Sequence, residues 1–509
     1  MSEQEIIRRQ KLEQLRAMGI NPYPADEFKV NTTADKIKRE YRESHSEFFE
    51  DVTIAGRVMT KNDMGKANFS HIQDETGRIQ VYIKRDSICT DFNSPIEDKT
   101  QYDIVWKKLI DIGDIIGIKG YIFTTKTGEI TIHATEFVLL SKCLHPIPTS
   151  KEKDGEEFDK VTDLEFRYRQ RYVDLIINPE VKNTFRKLTD IKNCIRFFLN
   201  SLGALEVDTP VLQSIPGGAA ARPFETHHNA LDIPLYLRIA NELYLKRLIV
   251  GGFDSVYEFS RNFRNEGMDR THNPEFTVME YYASYKDYNW MMDTTEKMLE
   301  QVALGVNDSP IVNVSNNEIN FTGPYKRISI YDSITEYTGY DISNLNQEEL
   351  VHLCNVSFGF SRVTINDNTG KGKIIDEIFG KYCEHHYIQP TFIIDYPIEM
   401  SPLTKKHRSK EGLVERFELI VNGKELANAY SELNDPIEQR TRFEEQMELM
   451  GRGDDEAMFI DNDFLSALEY GMPPTAGIGI GIDRLGMLLT EQSSIQDVLL
   501  FPQMRPNDK

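Results

Sequence analysis

Asn422-Gly423 stands between two runs of apolar and β-branched residues in ERFELIVNGKELANAYSELND, residues 415–435. Asn-Gly favours a two-residue turn with both backbones left-handed. The segment is therefore expected to be a β-hairpin, and the chain to contain an antiparallel sheet. Pairing Val421 with Lys424 also pairs Ile420 with Glu425 and Glu418 with Ala427, which makes Glu418 and Glu425 diagonal neighbours about 7 Å apart at the backbone. Two carboxylates that close repel unless a cation lies between them. Magnesium bridging nucleotide phosphates is a natural answer, because it takes one or two carboxylates plus phosphate oxygens and water. An exposed acidic hairpin is the plain alternative. Asn428, Tyr430 and Glu432 have the opposite parity to Glu425, so lining one site with it requires a bulge or strong twist near Ala427.

Two further segments concentrate chemistry. In SRNFRNEGMDRTHNPEFTVMEYY, residues 260–282, a strand carrying Arg264 leads into a polar loop and returns through Phe276, Met279 and Glu280. Arg264, Glu266, Arg270, His272 and Glu275 exceed what a surface turn needs. A guanidinium can clamp a phosphate bidentately, and Phe276 can stack on a purine. An ordinary salt-bridged hairpin is the competing reading. In GIGIGIDRLGMLLT, residues 477–490, the alternating glycines resemble a dinucleotide fingerprint, but a Rossmann unit needs about 30 residues more and 509 − 481 = 28 remain. A buried strand with bare backbone, followed by a helix near Arg484, fits better, and glycine there lets a ligand lie close. No GxxxxGK[ST] run occurs, so these are not parts of a phosphate-loop NTPase.

Ahead of these segments, five β-patterned runs begin at residues 52, 68, 77, 114 and 129. Five strands in about ninety residues suit a small barrel of the OB type, which binds single-stranded nucleic acid by stacking bases on aromatic rings in a basic groove. Phe69, with Lys61, Lys66, Arg78 and Gln80 near it, is the candidate surface. Residues 5–18 are expected to form a helix with Ile6, Ile7, Leu12, Leu15 and Met18 on one face. The divisions follow: an N-terminal helical segment to 48, the barrel over 49–145, a polar linker over 146–163, and a second domain over 164–509 opening with the helical pattern TFRKLTDIKNCIRFFLNSLG.

The net charge, 59 − 81 = −22, argues against gripping nucleic acid over the whole surface, so an RNA partner is met by local basic patches. The cysteines at 89, 143, 194, 354 and 383 suit neither a disulfide framework nor a zinc site, and His227-His228 and His385-His386 lack metal-ligand spacing. No stretch approaches a membrane span and no signal peptide is evident, which makes the cytoplasm the expected compartment.

With these segments in hand, the chain resembles the class II aminoacyl-tRNA synthetases of the subclass with an N-terminal OB-fold anticodon-binding domain. GALEVDTPVL, residues 203–212, is similar to the family's motif 1, FRNEGMDRTHNPEF from Phe263 to motif 2, and GIGIGIDRL from Gly477 to motif 3. GGAAARPFETHHNALD from Gly217, LRIANELYLKRLIVGG from Leu237 and GKELANAYSELNDP from Gly423 look like the lysine-specific branch. One departure is Asn241, where proline is usual. The fold implied is α+β: a five-stranded OB barrel, then a catalytic domain whose central antiparallel sheet is flanked by helices.

The resemblance implies that lysine is activated by ATP to lysyl-adenylate and passed to the 3′-hydroxyl of its tRNA, with no side chain acting as nucleophile. It implies that Arg264 and Arg484 are catalytic and that Arg264, Glu266, His272, Asn273, Phe276, Glu418, Glu425 and Arg484 bind ATP. Glu418 and Glu425 would hold Mg2+. Gly218, Glu242, Arg264, Glu280, Tyr282, Asn428, Tyr430 and Glu432 would bind lysine, and Lys66, Phe69 and Gln80 the anticodon. A homodimer is implied through Pro210 of motif 1. Open alternatives are a lysine-activating paralogue that modifies a protein, an aspartate- or asparagine-specific relative, and an inactive RNA-binding relative.

Overall fold

The computed structural model describes residues 1–88, 98–148, 151–153, 156–158, 163–366, 369–451 and 458–506. Cys89 and residues 149–150, 154–155 and 159–162 of the expected linker lie outside these. The chain divides into two compact units, Met1–Pro179 and Glu180–Lys509. Among the described residues, no helix is long and apolar enough to cross a membrane.

In the first unit, strands β1 (Val52–Asp63), β2 (Ala67–Gln73), β3 (Arg78–Lys84), β4 (Ile115–Thr124) and β5 (Ile130–Ser141) close a barrel in the order β1-β2-β3-β5-β4. Period-two alternation explains why it closes around a dry core. Ile79, Val81 and Ile83 of β3 are wholly buried while Gln80 and Tyr82 between them face outward. A helical insert at Gln101–Leu109, which the sequence patterns did not suggest, adds Tyr102, Val105 and Trp106 to the same core.

Two expectations for this unit need correcting. Lys61 does not face the outer surface, because register pairs it with Ser70 on the inward face, whereas Phe69 pairs with Asn62 on the other. Its Nζ donates to the carbonyls of Trp106 at 2.6 Å and Ile110 at 2.7 Å, and burial lowers its pKa to about 8. In helix α1 (Glu3–Ala17), Leu12 and Leu15 are buried as expected, but Ile6 and Ile7 are 45% and 43% exposed. Arg8 takes the buried position instead, donating to the carbonyls of Cys143 and Ile112.

The second unit is built on an eight-stranded sheet. In chain order its labelled elements are α2 (Val181–Ser201), β6 (Leu205–Glu206), α3 (Glu242–Val250), β7 (Ser255–Phe263), β8 (Glu275–Ser284), α4 (Tyr288–Asn307), β9 (Lys326–Ser329), β10 (Thr391–Ile394), β11 (Arg416–Val421), β12 (Lys424–Ser431), β13 (Thr475–Gly481) and α5 (Ile482–Leu489). The strand order is β9-β10-β11-β12-β13-β8-β7-β6, antiparallel through the centre with a parallel pair at each edge. Met279 and Tyr281 of β8 and Ile478 and Ile480 of β13 pack with Ile191 and Ile195 of α2 and Met298 and Val302 of α4. Residues of alternate parity, Glu280 and Tyr282, therefore turn away from that core, and Tyr282 packs with Leu243 and Leu245 of α3. Residues 330–366 and 369–387 form a helical cluster of their own around Ile334, Ile374 and Ile378, set against Ile393 of β10 and Ile420 of β11.

Candidate active site

A cleft of about 1920 Å³ opens over the sheet face that carries Glu280 and Tyr282. The hairpin β11–β12 supplies one side. Asn422 and Gly423 turn it with φ of 52° and 69°, the left-handed pair that Asn-Gly favours. Val421 pairs with Lys424 and Ile420 with Glu425 as expected, but Glu418 pairs with Asn428 rather than Ala427. The reason is a bulge at Leu426, which adds one residue to β12 and reverses its parity. Glu418, Glu425, Asn428 and Tyr430 all line the cleft in consequence.

Arg416, two residues before Glu418 on the same strand face, was not singled out from the sequence. Its Nη2 donates to Glu418 Oε1 at 2.6 Å, its Nε to Asn428 Oδ1 at 3.1 Å, and its Nη1 to the Met400 carbonyl and Ser401 Oγ. Part of the repulsion between Glu418 and Glu425 is thus relieved by a resident guanidinium. Burial nevertheless raises the Glu418 carboxyl to about 7, with Arg416 opposing and Glu425 and Asp376 adding to the rise. A carboxylate this reluctant to ionise, beside a second one at the cleft wall, is a donor set that a divalent cation with phosphate and water ligands would satisfy.

The β7–β8 hairpin supplies the facing wall. Arg264 N–H closes it on the Pro274 carbonyl at 2.9 Å, and the guanidinium lies 5.1 Å from the Phe276 ring centroid. Its buried Nε has no hydrogen-bond partner among the described residues. Burial lowers the Arg264 pKa, with Glu266, Glu425 and Glu280 opposing. Arg264 therefore sits within electrostatic reach of Glu425 on the hairpin and of the buried Glu280.

His272 is held by Asp269, which no sequence pattern marks out. Asp269 Oδ2 accepts from His272 Nδ1 at 2.8 Å, which leaves Nε2 to accept from Arg484 Nη2 at 3.2 Å. Arg484, in the first turn of α5, also donates to the Glu425 carbonyl at 2.6 Å and lies 3.7 Å from its carboxylate. Asn273 spends its amide N–H on the Glu275 carbonyl, and Glu266 is exposed at the cleft mouth.

Deeper in, β13 runs between β8 and β12 with Gly477 opposite Tyr282 and Tyr430, and Gly479 opposite Glu280 and Asn428. The glycines leave space, although a ligand is not what fills it at Gly477. A Cβ there would strike the Glu432 carboxylate and the Tyr282 ring. Gly218 is left-handed, with φ of 87°, and a Cβ on it would come within 3.2 Å of Glu242 Cβ, so its backbone presses against that glutamate.

Tyr282 OH donates to Glu280 Oε2 at 2.9 Å and Tyr430 OH to Glu242 Oε1 at 2.7 Å. Both phenols are pushed well up by burial and nearby carboxylates, so they remain neutral donors. Burial, then the charge of Glu242, raises Glu280 to about 8. Glu432 is placed differently from its neighbours. It is 1% exposed, its carboxylate lies over Gly477 on the sheet face that carries Tyr282 and Tyr430, and it meets an ammonium that the chain itself provides, Lys246. That lysine follows Glu242 by four residues on α3, the helical spacing that could have flagged it.

In the barrel, Phe69, His71, Gln80, Tyr82 and His133 share the outward face through their cross-strand pairing. Phe69 and Tyr82 have ring centroids 4.8 Å apart, and His133 stacks on Tyr121 at 4.7 Å, giving an aromatic strip of which the sequence had indicated only Phe69. Gln80 bonds Glu129 and Thr131, and Lys66 is exposed in the β1–β2 turn.

Residues 163–505 match the family model described as tRNA synthetases class II (D, K and N), and residues 52–140 match that of the OB-fold nucleic acid binding domain. Among curated proteins, the chain is 63% identical over 506 residues to a lysine--tRNA ligase of Porphyromonas gingivalis, covering 99% of this chain and 86% of that protein. It is 61% identical to a lysine--tRNA ligase of Azobacteroides pseudotrichonymphae, covering 99% of each. A third, from Christiangramia forsetii, is 60% identical over 510 residues, covering all of this chain and 87% of its own.

Proposed function

Because the chain belongs to the class II tRNA synthetases of the D, K and N group, we propose that it activates lysine with ATP and transfers it to the 3′-hydroxyl of a lysine tRNA. One observation carries the choice of lysine. Glu242, Glu280 and Glu432 gather around Tyr282 and Tyr430, three carboxylates against the single ammonium of Lys246. Such a pocket leaves charge for an incoming ammonium to satisfy and repels the side chain of aspartate. A neutral side chain of similar length would leave buried carboxylates unpaired, and sites of this kind reject such analogues by roughly 10⁴-fold.

Activation is an in-line attack of the lysine carboxylate on the α-phosphorus, which forms lysyl-adenylate and releases pyrophosphate. Arg264, with its orphaned Nε, meets the α-phosphate and the attacking carboxylate, and Phe276 stacks on adenine while Glu266 reads its amino group. Arg484 and His272, already hydrogen-bonded to each other, serve the triphosphate with Asn273 beside them. Glu418 and Glu425 would hold Mg2+, which would supply charge stabilisation for the triphosphate. Gly218 and Glu242 hold the α-ammonium; Glu280, Tyr282, Asn428, Tyr430 and Glu432 surround the side chain. Catalysis is positioning and charge stabilisation throughout.

Lys66, Phe69, Gln80 and the strip around Tyr82 supply the anticodon surface. Val211, Leu212 and Ile215, all exposed beside Pro210, favour a homodimer built on that segment. The need for ATP and tRNA supports a cytoplasmic location. The test is ATP–pyrophosphate exchange with each of the twenty amino acids in the absence of tRNA. Exchange driven by lysine alone is expected; exchange driven by aspartate or asparagine overturns the assignment.

A further inference from the structure

Charge counting in the lysine pocket does not close with the substrate alone. Glu242, Glu280 and Glu432 are each less than a tenth exposed, and once lysine has displaced the proton of Glu280 they contribute three negative charges. Lysine brings an α- and an ε-ammonium, and its carboxylate is met by Arg264. One buried negative charge is left over, and a buried carboxylate without a counter-ion takes up a proton and stops attracting ammonium.

Lys246 closes the count. Its Nζ lies 2.5 Å from Glu242 Oε1 and in direct contact with Glu432 Oε2. The side chain is wholly buried, with the rings of Tyr430 and Phe464 at 5.5 and 5.9 Å from the ammonium. Burial works against its charge, but Glu242 and Glu432 more than offset that, so the ammonium is a fixture of the fold. Neither Glu432 oxygen has a hydrogen-bond partner among the described residues: Oε2 is in ion-pair contact with Lys246, while Oε1 lies against Gly477, which lines the cleft. Because Gly477 carries no side chain, the carboxylate takes the place that a Cβ would occupy on the face shared with Tyr282 and Tyr430.

We propose that Lys246 is a specificity-determining positioning residue: by engaging one oxygen of Glu432 it fixes that carboxylate with the other oxygen free for the substrate's side-chain ammonium. The inference rests on the lysine-activating reading above. Lys246 does not touch the substrate; it acts through Glu432, since its other partner, Glu242, keeps the Tyr430 hydroxyl when the lysine is replaced, and its effect is confined to lysine recognition.

The experiment is lysine-dependent ATP–pyrophosphate exchange by the full chain as wild type, Lys246→Met, Glu432→Gln and the double variant. Lys246→Met is expected to raise the KM for lysine by about tenfold or more, the cost of an uncompensated buried charge, with the KM for ATP within about twofold. The double variant is expected to match Glu432→Gln alone within about twofold, because a residue acting through another has nothing further to lose once that other is changed. An unchanged lysine KM in Lys246→Met, or effects that multiply in the double variant, overturns the proposal. Should Lys246→Met not fold, the double variant, which removes both charges of the pair, still carries the comparison with Glu432→Gln. A wild type without lysine-dependent exchange overturns the proposed function and this inference with it, whereas normal wild-type exchange with either adverse result overturns only the inference.

Discussion

In the proposed lysine pocket a single buried group, Glu280, would make binding depend on pH. Its carboxyl stands at about 8 in the lysine-free protein, raised first by burial and then by Glu242. The native state therefore holds a proton that the unfolded chain gives up near its ordinary value of 4.5. Its contribution to stability is complete below that value and is lost as pH rises toward 8. Lysine bound there as proposed would act in the opposite sense, since an ammonium favours the ionised carboxylate, so binding below pH 8 would expel the proton. The KM for lysine is expected to fall as pH rises from about 6.5 to 8 and then level, by at most about tenfold per unit, while the KM for ATP stays flat. Steady-state exchange across that range, repeated with Glu280→Gln, checks it; a slope surviving in the variant assigns the proton elsewhere. At this scale the sequence revealed the carboxylates and not their keepers. Arg416, Lys246 and Asp269 resemble solvated surface charges until the fold places them beside Glu418, Glu432 and His272.

Among elements, the hairpin at 416–431 was the most legible, because Asn422-Gly423 admits few other conformations. Its bulge was required by parity, yet its place at Leu426 follows from packing on both neighbours, which no local pattern records, and so the partner of Glu418 was misread by one residue. The same limit applied to β13. The glycines signalled close approach and left open what approaches. At Gly477 it is Glu432 and Tyr282, whereas at Gly479 a Cβ would find only ordinary contacts of 3.6 Å to Val278 and 3.7 Å to Glu280. Gly477→Ala is therefore expected to cost about 1–3 kcal/mol and Gly479→Ala much less. Thermal unfolding of the two variants decides it, and equal melting temperatures would contradict the packing argument. Alternation predicted the five barrel strands for the same reason that it misplaced Lys61: the period of two shows that a residue changes face, and pairing decides which face is inside.

For the whole molecule, the two units have separate cores and separable tasks. Replacing Phe69 and Tyr82 together by alanine is expected to raise the KM for tRNA by about tenfold or more, from stacking worth about 1–3 kcal/mol per base, and to leave lysine-dependent pyrophosphate exchange unchanged. Aminoacylation and exchange assays on the same preparation test this, and a parallel loss of both would mean that the strip supports the fold rather than the RNA. The second unit carries a different consequence in its strand order. β13, residues 475–481, lies between β8 and β12, so the strand that unites the sheet is the last of its eight to leave the ribosome. Until then the nascent chain holds two half-sheets with open edges, and the pairings that join them span some two hundred residues on one side and about fifty on the other. The site has no partial form. A translation product that stops short of residue 475 has every glutamate of the pocket and no floor to set them on.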